Sequence, residues 1–300
     1  MNETDRLQSL LAYGFFQINE TKFIDEEWNM NEDARSSLFQ SASIAENYHH
    51  YLLPTVFEPW AQLLVGSLAL REGQTVLDVA SGTGAVARAA ARAVGPTGRV
   101  IASDRSIGML AQVSVGVDPD GAPIEALEAQ AMAIPLEDNS VDVVLCQHGL
   151  PFMREQVAAV AEMKRVVRPG GTLGIVVWVA AMRLEPFDSY GDVLRDEGLD
   201  EPFAEAWNFD SFKMTRARLT RLLTGLDDVT VRTASLRLDW PSVADSVNGI
   251  LGTPYGPVLT ALMPEKRQHA ISVLRDWMTA SPHPLNTAFV AVARVGSAGD

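Results

Sequence analysis

The chain has 300 residues, 47% of them hydrophobic, one cysteine and a formal net charge of −14. That length buries a large core, and one elaborated α/β domain is expected over two independent ones. The acidic balance argues against nucleic acid as a partner and the lone Cys146 excludes an internal disulfide; with no signal peptide or membrane-length apolar run, a cytoplasmic protein without membrane insertion is expected.

Residues 1 to 70 read as a helical cap. Its apolar positions are Leu7, Leu10, Leu11 and Phe15, and later Leu52, Leu53, Val56, Phe57, Trp60, Leu63 and Leu64. The run Val76 to Ala80 has the length and Val/Leu content of a buried parallel strand. Gly82 and Gly84 then allow a sharp turn and close approach to a ligand before a helix over Ala85 to Val94. A second strand ends at Asp104, where a carboxylate could meet ribose hydroxyls. This βαβ unit describes a nucleoside site without saying which nucleoside, because Gly82, Gly84, Ala87 and Asp104 also satisfy a dinucleotide fingerprint. Two features point away from NAD. The unit lies far along the chain, and Asp78, just before the glycines, could orient their loop and attract the ammonium of an amino-acid ligand, a cation that a dinucleotide lacks.

Strands are expected at 75–80, 99–103, 124–129, 141–147 and 172–178, alternating with helices, which implies a parallel sheet covered on both faces. Asp118-Pro-Asp-Gly121, Glu137-Asp138-Asn139 and Pro169-Gly-Gly171 read as turns. Beyond strand five, residues 181 to 214 are mixed and aromatic-rich. A helix follows over Thr215 to Leu226, then a strand marked by Val229, Val231, Leu236 and Leu238, helical residues 242 to 280, and a final strand over Thr287 to Val295.

Four segments carry a family resemblance: Leu77-Asp-Val-Ala-Ser-Gly-Thr-Gly84, Ser103-Asp-Arg-Ser-Ile-Gly-Met-Leu110, the stretch Ala129 to Val144, and Glu162-Met-Lys-Arg-Val-Val-Arg-Pro-Gly-Gly171. In order and separation they resemble the motifs of class I S-adenosylmethionine-dependent methyltransferases, in the branch that includes ubiquinone and menaquinone C-methyltransferases. The likeness covers about residues 45 to 180. It implies an α/β fold, a Rossmann-like doubly wound seven-stranded sheet whose last strand pair is antiparallel, with an N-terminal helical cap and an inserted helical lid. The implied organisation is a cap at 1–70, a cofactor-binding core at 71–180, a substrate-covering insertion and helix at 181–226, and C-terminal strands with a helical insertion at 227–300.

The resemblance also implies S-adenosyl-L-methionine as cofactor, held by Asp78, Ser81, Gly82, Gly84, Asp104, Arg105, Met109, Gln130, Ala131 and Gln147. Gln130 departs from the family's usual aspartate, although an amide can accept a hydrogen bond from adenine and also donate one. Met109 suits either adenine packing or plain core. Tyr48, His49, Phe152 and Trp178 are expected around a small-molecule acceptor. His148, in Cys146-Gln-His-Gly-Leu-Pro-Phe-Met153, is the candidate general base, where relatives often carry glutamine; a polar wall residue is the alternative. His269 and His283 read as structural, no spacing suggests a metal site, and a homodimer is one open arrangement. The expected reaction is O-methylation of an apolar specialised metabolite, ahead of carbon or nitrogen methylation. The alternative is a cofactor-binding relative that catalyses a non-methylating step such as cyclisation.

Overall fold

The computed structural model describes residues 41–114, 118–180, 182–196, 198, 213–281 and 283–296. The expected cap positions Leu7, Leu10, Leu11 and Phe15 lie outside the described residues, as do 199–212 of the insertion.

The described cap begins with α1 (Ala42–Asn47), passes into a π-helical stretch (Tyr48–Phe57) and continues as α2 (Glu58–Gly66). Pro54 sits inside the π-helical stretch, where its missing N–H and its ring favour a locally widened turn. The expected apolar stripe is buried: Leu52, Leu53, Val56, Phe57, Trp60 and Leu64 all pack into the core.

The sheet is laid down by β1 (Thr75–Val79), β2 (Arg99–Asp104), β3 (Ile124–Glu128), β4 (Val141–Gln147) and β5 (Val167–Val179). Between them run α3 (Ala85–Val94), α4 (Ile107–Leu110) and α5 (Gln156–Val166). The insertion supplies α6 (Phe187–Asp196), β6 (Lys213–Met214) and α7 (Arg216–Leu222), and β7 (Asp227–Arg237) follows. The chain closes with α8 (Val243–Asn248), α9 (Tyr255–Ala261), α10 (Pro264–Ala280) and β8 (Leu285–Arg294). Strand order is β3-β2-β1-β4-β5-β8-β7, with β1 to β5 parallel and β8 antiparallel to both its neighbours.

Three expectations need correction. The sheet has an eighth strand, since β6 pairs parallel with the end of β5 through Trp178 and Lys213; two residues are too few to show a period-2 pattern. The Pro169-Gly-Gly171 turn is absorbed into β5, where the register jumps from Val141/Val167 to Val143/Thr172 and the intervening residues bulge out. The helical span 242–280 is broken by a tight turn at Gly249–Gly252, followed by Thr253 and Pro254.

That last break shapes the roof of the site. A Cβ on Gly252 would stand 2.6 Å from both N and Cα of Tyr48, so the 249–252 turn packs backbone to backbone against the cap. Gly252→Val is therefore expected to destabilise the fold by about 1–3 kcal/mol through overpacking, read as a lower urea midpoint. An unchanged midpoint would show that the cap is not pinned there.

Candidate active site

The chain runs from β1 outward to β2 and β3, then crosses back to β4 on the other side of β1. That reversal opens a crevice at the carboxyl ends of β1 and β4, the usual ligand position in a doubly wound sheet. Ala80 and His148, the residues that directly follow these two strands, both hold left-handed backbones (φ 56° and 57°) and both line the resulting cavity. Non-glycine residues rarely adopt this conformation without a local reason.

On the β1–β3 side the lining includes Gly82, Asp104, Arg105, Ser106, Met109, Gln130, Ala131 and Met132. Asp104 accepts the Gly82 N–H on one oxygen and the Ser106 N–H on the other, both at 2.8 Å, and the Arg105 N–H also acts on the carboxylate. Each oxygen keeps further acceptor capacity. Burial raises the Asp104 carboxyl above its usual range, against the lowering by the N–H groups of Ser106, Gly82 and Arg105. Gly82 has φ +55°, and an added Cβ there would meet nothing within 4 Å, so backbone faces open space beside Asp104. Ser106 caps α4 by accepting from the Met109 N–H at 3.2 Å, which fixes Met109 at the wall.

The opposite half is aromatic, with Tyr48, Phe57, His148, Phe152, Trp178 and Phe187 all contributing to the lining. Tyr48 stacks on Phe57 at 4.8 Å, and His148 lies flat on Trp178 at 3.6 Å with 8° between planes. Trp60 and Phe57 approach the imidazole edge-on at 6.0 and 6.1 Å. His148 is 4% exposed, and neither ring nitrogen has a hydrogen-bond partner among the described residues. Burial alone pushes this imidazole well below its ordinary pKa. Beside it, Gln147 donates Nε2 to the Phe57 carbonyl at 3.0 Å while its buried Oε1 is without a partner among the described residues.

The His148 shift predicts a pH effect. An unfolded histidine titrates near 6.5, so as pH falls below that value the unfolded chain takes up this proton before the folded one. The stability from keeping His148 neutral is thus present above about pH 6.5 and is lost as pH drops through the lower folded value. Wild-type protein is expected to lose more stability than His148→Gln between about pH 7 and 5 in urea titrations. Parallel losses would contradict the burial argument.

Four expected site residues lie outside the cavity lining: Asp78, Ser81, Gly84 and His49. Asp78 is 1% exposed and accepts the Ala87 N–H at 2.9 Å, which braces the start of α3. Burial raises its carboxyl well above the usual range, with the Ala87 N–H opposing. Gly84 has φ +89°, and a Cβ there would sit 3.1 Å from Arg88 Nη1 and 3.3 Å from Val113 Cγ1. Burial lowers the pKa of His49, and the charges of Arg88 and His50 add to that shift. Cys146 is buried with its thiol pushed up to about 12, as a core thiol would be. His283 pairs with Asp239 at 2.9 Å, far along the chain from these residues. Among the described residues no cluster of three or more His, Cys, Asp or Glu could hold a metal ion, and no helix is long and apolar enough to cross a membrane.

Several lining residues carried no readable signal, among them Phe57, Met153, Leu184, Phe187 and Gly252-Thr253-Pro254. Leu184 and Phe187 reach the cavity from a segment tied by two ion pairs. Glu185 pairs with Arg183 at 2.7 Å, and Lys213 on β6 pairs with Asp188 at 3.0 Å.

A doubly wound sheet with a glycine loop and an acidic strand end at its switch point fits a nucleoside-containing ligand. Residues 76–171 match a sequence family described as a methyltransferase domain. The chain belongs to the class I S-adenosylmethionine-dependent methyltransferases, and S-adenosylmethionine is its cofactor. It is 34% identical over 165 residues to the ubiquinone/menaquinone biosynthesis C-methyltransferase UbiE of Burkholderia orbicola, covering 53% of this chain and 67% of that protein. Among solved structures, its fold resembles phosphoethanolamine N-methyltransferase 2 of Haemonchus contortus, bound to phosphomonomethylethanolamine and S-adenosylhomocysteine. That match has a TM-score of 0.50 at 16% identity and covers 80% of this chain and 53% of that one. It also resembles the [4+2]-cyclase SpnF, with a TM-score of 0.51 at 18% identity over 80% of this chain and 82% of that one.

The donor set fits this cofactor. Asp104 offers unused acceptor capacity for a diol, Gly82 leaves backbone room, and Gln130, Met109 and Ala131 offer an amide and apolar surface for a purine.

Proposed function

We propose that the enzyme methylates a hydroxyl of an apolar small molecule held against Phe57, Phe152, Trp178 and Phe187, with His148 accepting the hydroxyl proton. The observation that carries this reading is the buried, partnerless imidazole of His148 in the cavity lining, next to the partnerless Oε1 of Gln147. Buried polar atoms are normally satisfied, so unpaired ones in a cavity wall point to a ligand that completes them. Burial keeps the imidazole neutral, the form a base requires.

Asp104 would hold the ribose, Gly82 would leave room for the adjoining chain, and Met109, Gln130 and Ala131 would flank the base. The cofactor supplies an activated methyl group when bound. This chain's side chains then have only to position the acceptor, exclude water and take one proton. Tyr48 closes the cap side, and Leu184 and Phe187 close the insertion side. The aromatic lining selects a flat, apolar acceptor, and nearly half of this chain lies outside its match to the quinone enzymes, which favours a specialised pathway.

The quinone-pathway relatives favour a second reading, transfer to carbon, in which the same base would deprotonate a ring hydroxyl to activate its neighbour. The cyclase shares only the fold, which does not fix chemistry. A panel of hydroxylated polycyclic and aliphatic compounds, incubated with methyl-labelled cofactor, tests the proposal. Label should enter flat hydroxylated compounds and not their fully O-methylated counterparts. Equal labelling of both would overturn the hydroxyl assignment.

A further inference from the structure

In α3, which reads Ala85-Val-Ala-Arg-Ala-Ala-Ala-Arg-Ala-Val94, Arg88 is the one charged residue among those buried. The small residues around it leave room for the guanidinium, which is 4% exposed. Nη1 donates to the Thr83 carbonyl at 2.8 Å and to the Val113 carbonyl at 3.3 Å, tying the glycine loop to the stretch after α4. Nη2 is buried without a hydrogen-bond partner among the described residues and lies 3.9 Å from Glu58 Oε1, at the start of α2.

The preceding residue, Phe57, gives its carbonyl to Gln147. The Phe57–Glu58 junction is therefore held from two sides, by the end of β4 and by the helix behind the glycine loop. Tyr48 and Phe57, stacked on each other, hang from that junction over the cavity. Apolar packing commonly replaces a buried charge without loss, so a guanidinium whose fork is only partly used is a poor choice for a mere strut.

We propose that Arg88 is a positioning residue that couples the glycine loop to the cap, setting the loop for the cofactor and, through Glu58, holding Tyr48 and Phe57 over the acceptor side. The coupling rests on the acceptor-side reading of those two aromatics, yet its test needs no acceptor. Saturating S-adenosylhomocysteine should slow amide exchange across residues 50–57 roughly tenfold in the wild type. In Glu58→Gln the compound should still bind within about threefold of wild type while that protection falls below about twofold. Arg88→Met should weaken S-adenosylhomocysteine at least about tenfold in calorimetry, and Arg88→Lys, which keeps the charge and a donor, should recover part of the loss.

Full protection in Glu58→Gln, or wild-type affinity in a folded Arg88→Met, would overturn the proposal. If Arg88→Met does not fold, the Arg88→Lys and Glu58→Gln measurements decide it. Absence of binding by the wild type would overturn the cofactor assignment as well, whereas failure to methylate any acceptor would leave these results standing and sink only the hydroxyl reading.

Discussion

Asp104→Ala should weaken S-adenosylhomocysteine binding by on the order of a hundredfold in calorimetry. The carboxylate sits at the end of β2, accepts from Gly82 and Ser106, and retains acceptor capacity beside the glycine loop. Hydrogen bonds to a charged group contribute about 1.5–3 kcal/mol each, and a hundredfold loss is about 2.7 kcal/mol, so one or two such bonds suffice. The substitution also frees the Gly82 N–H, which loosens the loop that must approach the ligand. Asp104→Asn, which keeps one carbonyl acceptor, should lose about a tenth as much in fold terms, near tenfold. Unaltered affinity in the alanine variant would place the ribose elsewhere.

The second large effect falls on turnover. His148→Asn should lower kcat by roughly 10²–10⁴-fold, the usual contribution of a general base. Affinity for S-adenosylhomocysteine should stay within about twofold, because no hydrogen bond from the imidazole supports the Asp104 side. Asparagine tolerates the left-handed backbone at this position better than most residues do, which limits folding damage. Unchanged kcat would reduce His148 to a wall residue stacked on Trp178.

Much of the β1 to β5 framework was legible because β1, β2 and β4 are short, mainly apolar runs, each beside a turn or an acidic end. The observed bounds of β1, β2, β3 and β4 fall within a residue of the expected ones. Asp104, Gly82, Met109 and Gln130 reached the cavity wall for the same reason: motif order along a βαβ unit dictates which residues meet at its switch point. What sequence spacing could not supply was direction. Asp78 and His49 stand within two residues of the lining positions Ala80 and Tyr48, yet neither lines the cavity, and Asp78 accepts the N–H of Ala87. A carboxylate at the last turn of a buried strand can bond a helix start as readily as a ligand, and a π-helical stretch shifts the register that an α-helical reading assumes.

The roof was illegible for a different reason. Leu184, Phe187 and Gly252 to Pro254 lie far from the motifs in sequence, and only packing of the insertion and the 249–252 turn against the cap brings them over the cavity. Gly252 falls inside the span that reads as helical in the chain, and its role emerges only once Tyr48 backbone is seen against it.

Carbon NMR of the product formed from ¹³C-methyl-labelled S-adenosylmethionine tests the central claim most directly. The account predicts a labelled methoxyl signal that depends on both Asp104 and His148. A labelled methyl on carbon, or an isomerised product formed with no label and no donor consumed, would contradict it.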